Sequence, residues 1–229
     1  MSKVLCLHGF LQNGKIFSEK SSGLRKLLKK SNIQLDYIDG PIELTRNDLP
    51  FIIDDDSKWN EIVQSNINKA WFYHSDNSNE LNIDLALETV FNYISLNGPY
   101  DGIIGFSQGA AISCIIANTI NSKLSKHGNF KFALHVSGYS FTDKDSQNLE
   151  ININENFKDL FQIDKDYQTK TLFIYGENDN SVPMNRSKYL ANLYPNSIKL
   201  EYKHDGGHFI PNKKEFLRPI VEEIESSLK

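Results

Sequence analysis

Apolar and polar positions along the chain follow two alternating patterns. Short runs dense in aliphatic and aromatic residues read as strands: VLCLHG (4–9), QLDYID (34–39), GIIGF (102–106), FALHVSG (132–138), TLFIYGE (171–177) and IKLEYKH (198–204). Between them lie longer segments with helical spacing. FSEKSSGLRKLLKKSN (17–32) places Leu24, Leu27 and Leu28 on one face and lysines opposite. IDLALETVFNYISLNG (83–98) reads as a helix stopped by Gly98-Pro99. QGAAISCIIANTI (108–120), MNRSKYLANLY (184–194) and KKEFLRPIVEEIESSL (213–228) read as three more, with Pro219 expected to kink or split the last. Strands alternating with helices predict an α/β fold with a mostly parallel central sheet and helices on both faces. We expect one domain over residues 1–229.

Two stretches break the alternation. Residues 41–82 are polar and irregular, with Trp59, Trp71, Phe72 and Tyr73 and a short helix expected near WNEIVQSNINKAW. Residues 139–168 are irregular as well. Loops this long in a compact domain are often functional, so both are candidates to build a substrate site.

The junction GFSQGAA (105–111) carries the chemistry. A serine between a strand and a helix serves as an ordinary N-cap in many proteins. Here Gly105 and Gly109 flank Ser107 at two residues on either side, the G-x-S-x-G pattern of a nucleophile elbow. In that turn the serine backbone is strained and larger side chains at the flanking positions would collide across it. The hydroxyl is left exposed above the sheet, at a helix N-terminus that favours developing negative charge. The apolar strand before and the apolar helix after supply the context the motif requires.

A serine hydroxyl needs a base, and in this fold the partners follow in the order Ser, acid, His. Asp179 follows the strand TLFIYGE and His208 follows IKLEYKH, in the loop HDGGHF. Glu177 and His204 compete with them; His127 reads as a surface histidine, His135 as a core one, and His74 lies near the aromatic insert. An oxyanion hole should take one backbone N–H from Gln108 and a second from Phe10, in the loop LHGFLQNG after the first strand. Each such donor is typically worth about 3 to 4 kcal/mol of barrier. Together these residues predict acyl transfer through an acyl-enzyme, with Ser107 as nucleophile, His208 as base and Asp179 orienting it. Trp71, Phe72, Tyr73 and Tyr139, with Trp59 and Phe141, are candidates to line an apolar acyl site.

Composition narrows the alternatives. Hydrophobic residues make up 39% and charged residues 24%, as in soluble globular proteins. A net charge of −4 offers no basic patch for nucleic acid, and no apolar run is long enough to cross a bilayer or act as a stable membrane anchor. The chain enters its first strand almost at once, leaving no room for a signal peptide, and Cys6 and Cys114 both sit in apolar segments. A cytoplasmic location, with a nuclear one also compatible, is expected. No cofactor or metal is called for: there is no G-x-G-x-x-G, P-loop, H-E-x-x-H or Cys/His cluster with ligand spacing. The expected partner is a small acyl ester or thioester.

Four motifs carry a resemblance that runs along essentially the whole chain: LHGFLQNGKIFSEKSSGLRKLL, AWFYHSD, GPYDGIIGFSQGAA, and GGHFIPNKK with RPIVEEI. Together they resemble the fungal family of serine hydrolases, α/β-hydrolases related to a human ovarian-tumour-associated hydrolase. The resemblance implies esterase activity on hydrophobic acyl esters or thioesters. It implies Ser107, Asp179 and His208 as the triad, and AWFYHSD (70–76) as part of the substrate pocket. GFSQGA also resembles acyl-protein thioesterases and small carboxylesterases; the longer insert 41–82 and LHGFLQNG favour the first family. A binding protein that keeps the scaffold without turnover is the alternative of another class.

Overall fold

The computed structural model describes residues 1–73, 81–144 and 150–229. Six parallel strands form the central sheet: β1 (Ser2–Leu7), β2 (Ile33–Ile38), β5 (Gly102–Phe106), β6 (Phe132–Val136), β9 (Lys170–Gly176) and β10 (Lys199–His204). Their order across the sheet is β10-β9-β6-β5-β1-β2. Strand order reverses between β1 and β5, which makes their carboxyl ends the place where open α/β sheets form a crevice.

Period-two alternation decides which side chain faces which helix layer. In β1, Val4 and Cys6 face one layer and Leu5 and Leu7 the other. The first layer holds α1 (Gly14–Lys20), α2 (Ser22–Lys30) and α7 (Lys214–Ser227), through Phe17, Leu24, Leu28, Leu217 and Ile220. The second holds α4 (Asp84–Asn97), α5 (Gln108–Lys123) and α6 (Met184–Asn192), through Val90, Ile94, Ile112, Ile116 and Leu190. Both cysteines are buried as free thiols. The central strands β5 and β6 are buried along their whole length, which explains their unbroken apolar runs.

Three expectations change. The segment 17–32 is two helices, because the chain turns at Ser21, whose hydroxyl bonds back to the Phe17 carbonyl and to the Tyr37 hydroxyl. The last helix is not split: α7 runs through Pro219, its sixth residue, where the missing N–H leaves the Glu215 carbonyl without its helical donor. The irregular stretches also contain small elements. Within 41–82, β3 (Ile42–Glu43) pairs with β4 (Lys69–Ala70), and the short helix expected near WNEIVQSNINKAW is α3 (Asp56–Gln64), between them. Within 139–168, β7 (Thr142–Lys144) pairs with β8 (Glu150–Ile153), and a 3-10 turn follows at Glu155–Phe161. Among the described residues, no helix is long and apolar enough to cross a membrane.

Candidate active site

The site is built where β1, β5, β9 and β10 end. Register places Leu7 beside Gly105, so His8-Gly9-Phe10 runs next to Phe106-Ser107-Gln108. Ser107 sits at φ 54° and ψ −117°, a left-handed conformation costly for a residue with a β-carbon. It makes no side-chain cap to α5, so the ordinary N-cap role does not apply. Its N–H bonds to the Val136 carbonyl at 2.8 Å, and its carbonyl accepts from Ala110 and Ala111 at 2.9 and 3.1 Å. These backbone bonds hold the strained residue while its side chain stays free to react.

The two glycines are required for different reasons. A β-carbon on Gly105 would strike the Ser113 hydroxyl and the start of α5, across the turn as the motif predicts. One on Gly109 would instead strike the Leu7 and His8 carbonyls. The second glycine therefore lets α5 lie against the neighbouring strand, not against Gly105.

The three distant side chains meet. Ser107 Oγ lies 2.9 Å from His208 Nε2, and His208 Nδ1 lies 2.7 Å from Asp179 Oδ2. The other Asp179 oxygen accepts the Ser181 and Val182 N–H groups at 2.9 and 2.8 Å, so the carboxylate cannot rotate. Burial alone would raise the Asp179 pKa. The hydrogen bonds from His208 and from the Val182 amide outweigh it and hold the carboxyl below its ordinary value. An ionised Asp179 accepts the Nδ1 proton of His208, leaving Nε2 to accept from the Ser107 hydroxyl. The His208 ring leans on Phe106 at 4.9 Å between centroids, which fixes its plane.

The competitors lie elsewhere. Glu177 is exposed and paired with Lys203. His204 ends β10, packed against Phe209 and Phe216, with Nδ1 accepting the Gly206 N–H. His127 accepts the Tyr100 N–H, and His135 is a buried core histidine bonded to Ser113 at 2.8 Å. His74 falls outside the described residues, as does the end of AWFYHSD.

A cavity of about 290 Å³ opens around Ser107 and His208, walled by Phe10, Leu11, Pro50, Phe51, Tyr139 and Arg186. A larger hollow of about 540 Å³ lies along the insert between Arg46 and Asp54. Its lining has no serine, cysteine or histidine, and its one carboxylate, Asp54, stands without a nucleophile beside it.

Of the aromatics expected to line the pocket, Tyr139 does so. Trp71 and Phe72 do not: they are 0% and 2% exposed and belong to the core. Their backbones explain why. The Trp71 N–H donates to Gln108 Oε1 at 2.8 Å, Gln108 Nε2 donates to the Phe72 carbonyl at 2.7 Å, and Trp71 Nε1 donates to the His8 carbonyl at 2.8 Å. They brace the site from below. Tyr73 packs on the small cluster of Ile42, Leu44 and Ala70. Phe141 is buried against Phe72 and Phe157, and Trp59 lies under Arg46 on the insert.

Sequence reading missed Pro50, Phe51 and Arg186. Nothing in the insert's local pattern points inward, and Arg186 reaches the cavity from α6 with its guanidinium 4.5 Å above the Tyr139 ring. Phe106 and Val182 did carry a signal, the first adjoining Ser107 and the second three residues after Asp179. Among the described residues, no group of three or more His, Cys, Asp or Glu side chains is placed to hold a metal ion.

A model of the serine hydrolase (FSH1) family matches residues 1–220. The chain belongs to that family. This family member is 32% identical over 235 residues to Family of serine hydrolases 3 from Saccharomyces cerevisiae, covering 97% of this chain and 83% of the relative. It is 28% identical over 224 residues to Esterase OVCA2 of Danio rerio, covering 91% and 90%. In shape it is similar to Zea mays acyl-protein thioesterase 2, with a TM-score of 0.65 over 100% of this chain and 94% of that one. At 18% identity that likeness establishes the shared fold alone. Family, fold and the assembled side chains make this a serine-hydrolase enzyme of the esterase type.

Proposed function

We propose that the protein hydrolyses a carboxylic ester or thioester through an acyl-enzyme on Ser107. One observation carries the reading: a strained serine within 2.9 Å of an imidazole that is itself 2.7 Å from a carboxylate held by two backbone N–H groups. Ser107 Oγ attacks the substrate carbonyl carbon as its proton passes to His208 Nε2. The oxyanion forms opposite the backbone N–H groups of Phe10 and Gln108. The C–O or C–S bond breaks, and the leaving alcohol or thiol takes the proton from His208. Water then attacks the acyl-enzyme, giving its proton to His208, and the acid departs with Ser107 restored.

A thioesterase or small carboxylesterase is supported better than a hydrolase defined by a purely apolar acyl group. The maize acyl-protein thioesterase shares the fold end to end, and the cavity sets Gln12 and Arg186 beside its apolar wall. A fluorophosphonate probe tests the reading. Labelling at Ser107 that is lost in Ser107→Ala, together with loss of p-nitrophenyl ester turnover, supports it. Normal turnover by the Ser107→Ala protein would overturn it.

A further inference from the structure

His8 directly follows β1, is 0% exposed, and takes no part in the proton transfer. Two contacts define its chemistry. The Gly40 N–H donates to Nε2 at 2.8 Å, and Nδ1 lies 2.7 Å from the Gly9 carbonyl oxygen. A backbone N–H is only a donor, so Nε2 carries no proton. A carbonyl oxygen is only an acceptor, so Nδ1 carries one. Both contacts thus demand the same neutral tautomer. The ring is held in place as well: it packs on Trp71 at 5.3 Å between centroids, and the Trp71 indole bonds to the His8 carbonyl. Gly40 makes the approach possible, since a β-carbon there would strike the Ala70 carbonyl.

The accepting carbonyl belongs to the same peptide unit as the Phe10 N–H. Among the described residues, the one cis peptide bond is Gly98-Pro99, so the Gly9–Phe10 unit is trans. In a trans peptide the C=O and N–H point in opposite directions. Drawing the Gly9 oxygen toward the buried imidazole therefore turns the Phe10 N–H away from it. The His8 ring lies in the interior beneath the loop, while Phe10 lines the cavity with Ser107.

We propose that His8 is a positioning residue of the oxyanion hole, pinning the Gly9–Phe10 peptide so that the Phe10 N–H faces the catalytic cavity. This rests on the reading of Ser107 as nucleophile. A donor free to rotate would have to be reoriented as charge develops; a pinned one is ready beforehand. A rigid ring with one donor and one acceptor joins Gly9 to the Gly40 loop as no single aliphatic or hydroxyl side chain can.

Two variants and one measurement on the wild type test it. His8→Phe keeps the bulk and removes both bonds; His8→Asn restores a donor near the Nδ1 position. In His8→Phe, kcat for a p-nitrophenyl ester should fall on the order of 100-fold with KM nearly unchanged. Affinity for an alkylboronic acid, which mimics the tetrahedral adduct, should fall in proportion. His8→Asn should recover most of the loss. A folded His8→Phe protein with kcat and boronate affinity near wild type overturns the proposal, as does a loss that His8→Asn does not rescue. Where His8→Phe does not fold, nitrogen NMR of the wild type decides: the proton must sit on Nδ1 of His8, and one on Nε2 overturns the proposal. Labelling separates the two readings. A fluorophosphonate that leaves wild-type Ser107 unmodified defeats the nucleophile. Equal labelling rates in wild type and His8→Phe defeat the role of His8 alone.

Discussion

The catalytic cavity has a floor and a wall built on different principles. Its floor is the set of strand ends carrying Ser107, Gly9, Asp179 and His208. There the backbone is strained or pressed against neighbours, and the reactive side chains of Ser107, Asp179 and His208 each have a defined partner. Its outer wall comes in part from the insert, where Phe51 is 50% exposed and the adjoining Ile52 85%. Reaction geometry tolerates displacements of a fraction of an ångström, so the floor must be over-determined. A wall that receives an acyl group gains from adaptable apolar surface, and little there is locked.

The largest expected difference is in turnover. Ser107→Ala or His208→Ala should lower kcat by about 10⁶ with melting temperature nearly unchanged, and Asp179→Ala should lower kcat by about 10⁴. Steady-state assays beside thermal melts check this; a small kcat effect would mean that the floor does not perform the chemistry. Stability comes next. Gly105→Ala and Gly109→Ala force a β-carbon into backbone or α5 and should each cost about 3 kcal/mol, read by urea unfolding.

Acid should also act on the floor. Burial lowers the pKa of His8 to about 4 and of His135 to about 3, from 6.5. Below pH 6.5 the unfolded chain binds protons that the folded one refuses. Their stabilisation is thus complete above 6.5 and lost as pH falls toward 4 and 3. At pH 5 each histidine should have cost about 2 kcal/mol relative to pH 7, and His135→Gln should remove its share of that slope. Asp179, held below its ordinary 3.8, contributes only to loss at still lower pH. The smallest effect belongs to the wall. Phe51→Ala should change stability by no more than about 0.5 kcal/mol. It should raise KM for long acyl esters while leaving kcat close to wild type; a large fall in kcat would erase the distinction between floor and wall.

Much of the floor was legible because its signals are local. GIIGF is strand-like, QGAAISCIIANTI is helix-like, and the glycines around Ser107 identify the turn between them. Chain order singled out Asp179 and His208, each just beyond an apolar run, and these two side chains reach Ser107. The wall was not legible. Aromatic residues in an irregular segment look alike in sequence whether they face a cavity or a core. Trp71 and Phe72 go inward because β3–β4 pairing carries them under α5, where Gln108 binds their backbone. His8 reads as the end of a strand until Gly40 is seen beside it.

The sequence by itself determined the alternation of strands and helices, the parallel sheet and the sharp turn at Ser107. Those depend on residues two to four positions apart, whose sterics and apolar spacing act before any long-range contact forms. Tertiary structure alone decided which aromatics became cavity wall, which way the Gly9–Phe10 peptide points, and how Arg186 comes to lie over Tyr139. Those outcomes depend on strand order and register, which bring together groups far apart in the chain and leave no local trace of the meeting.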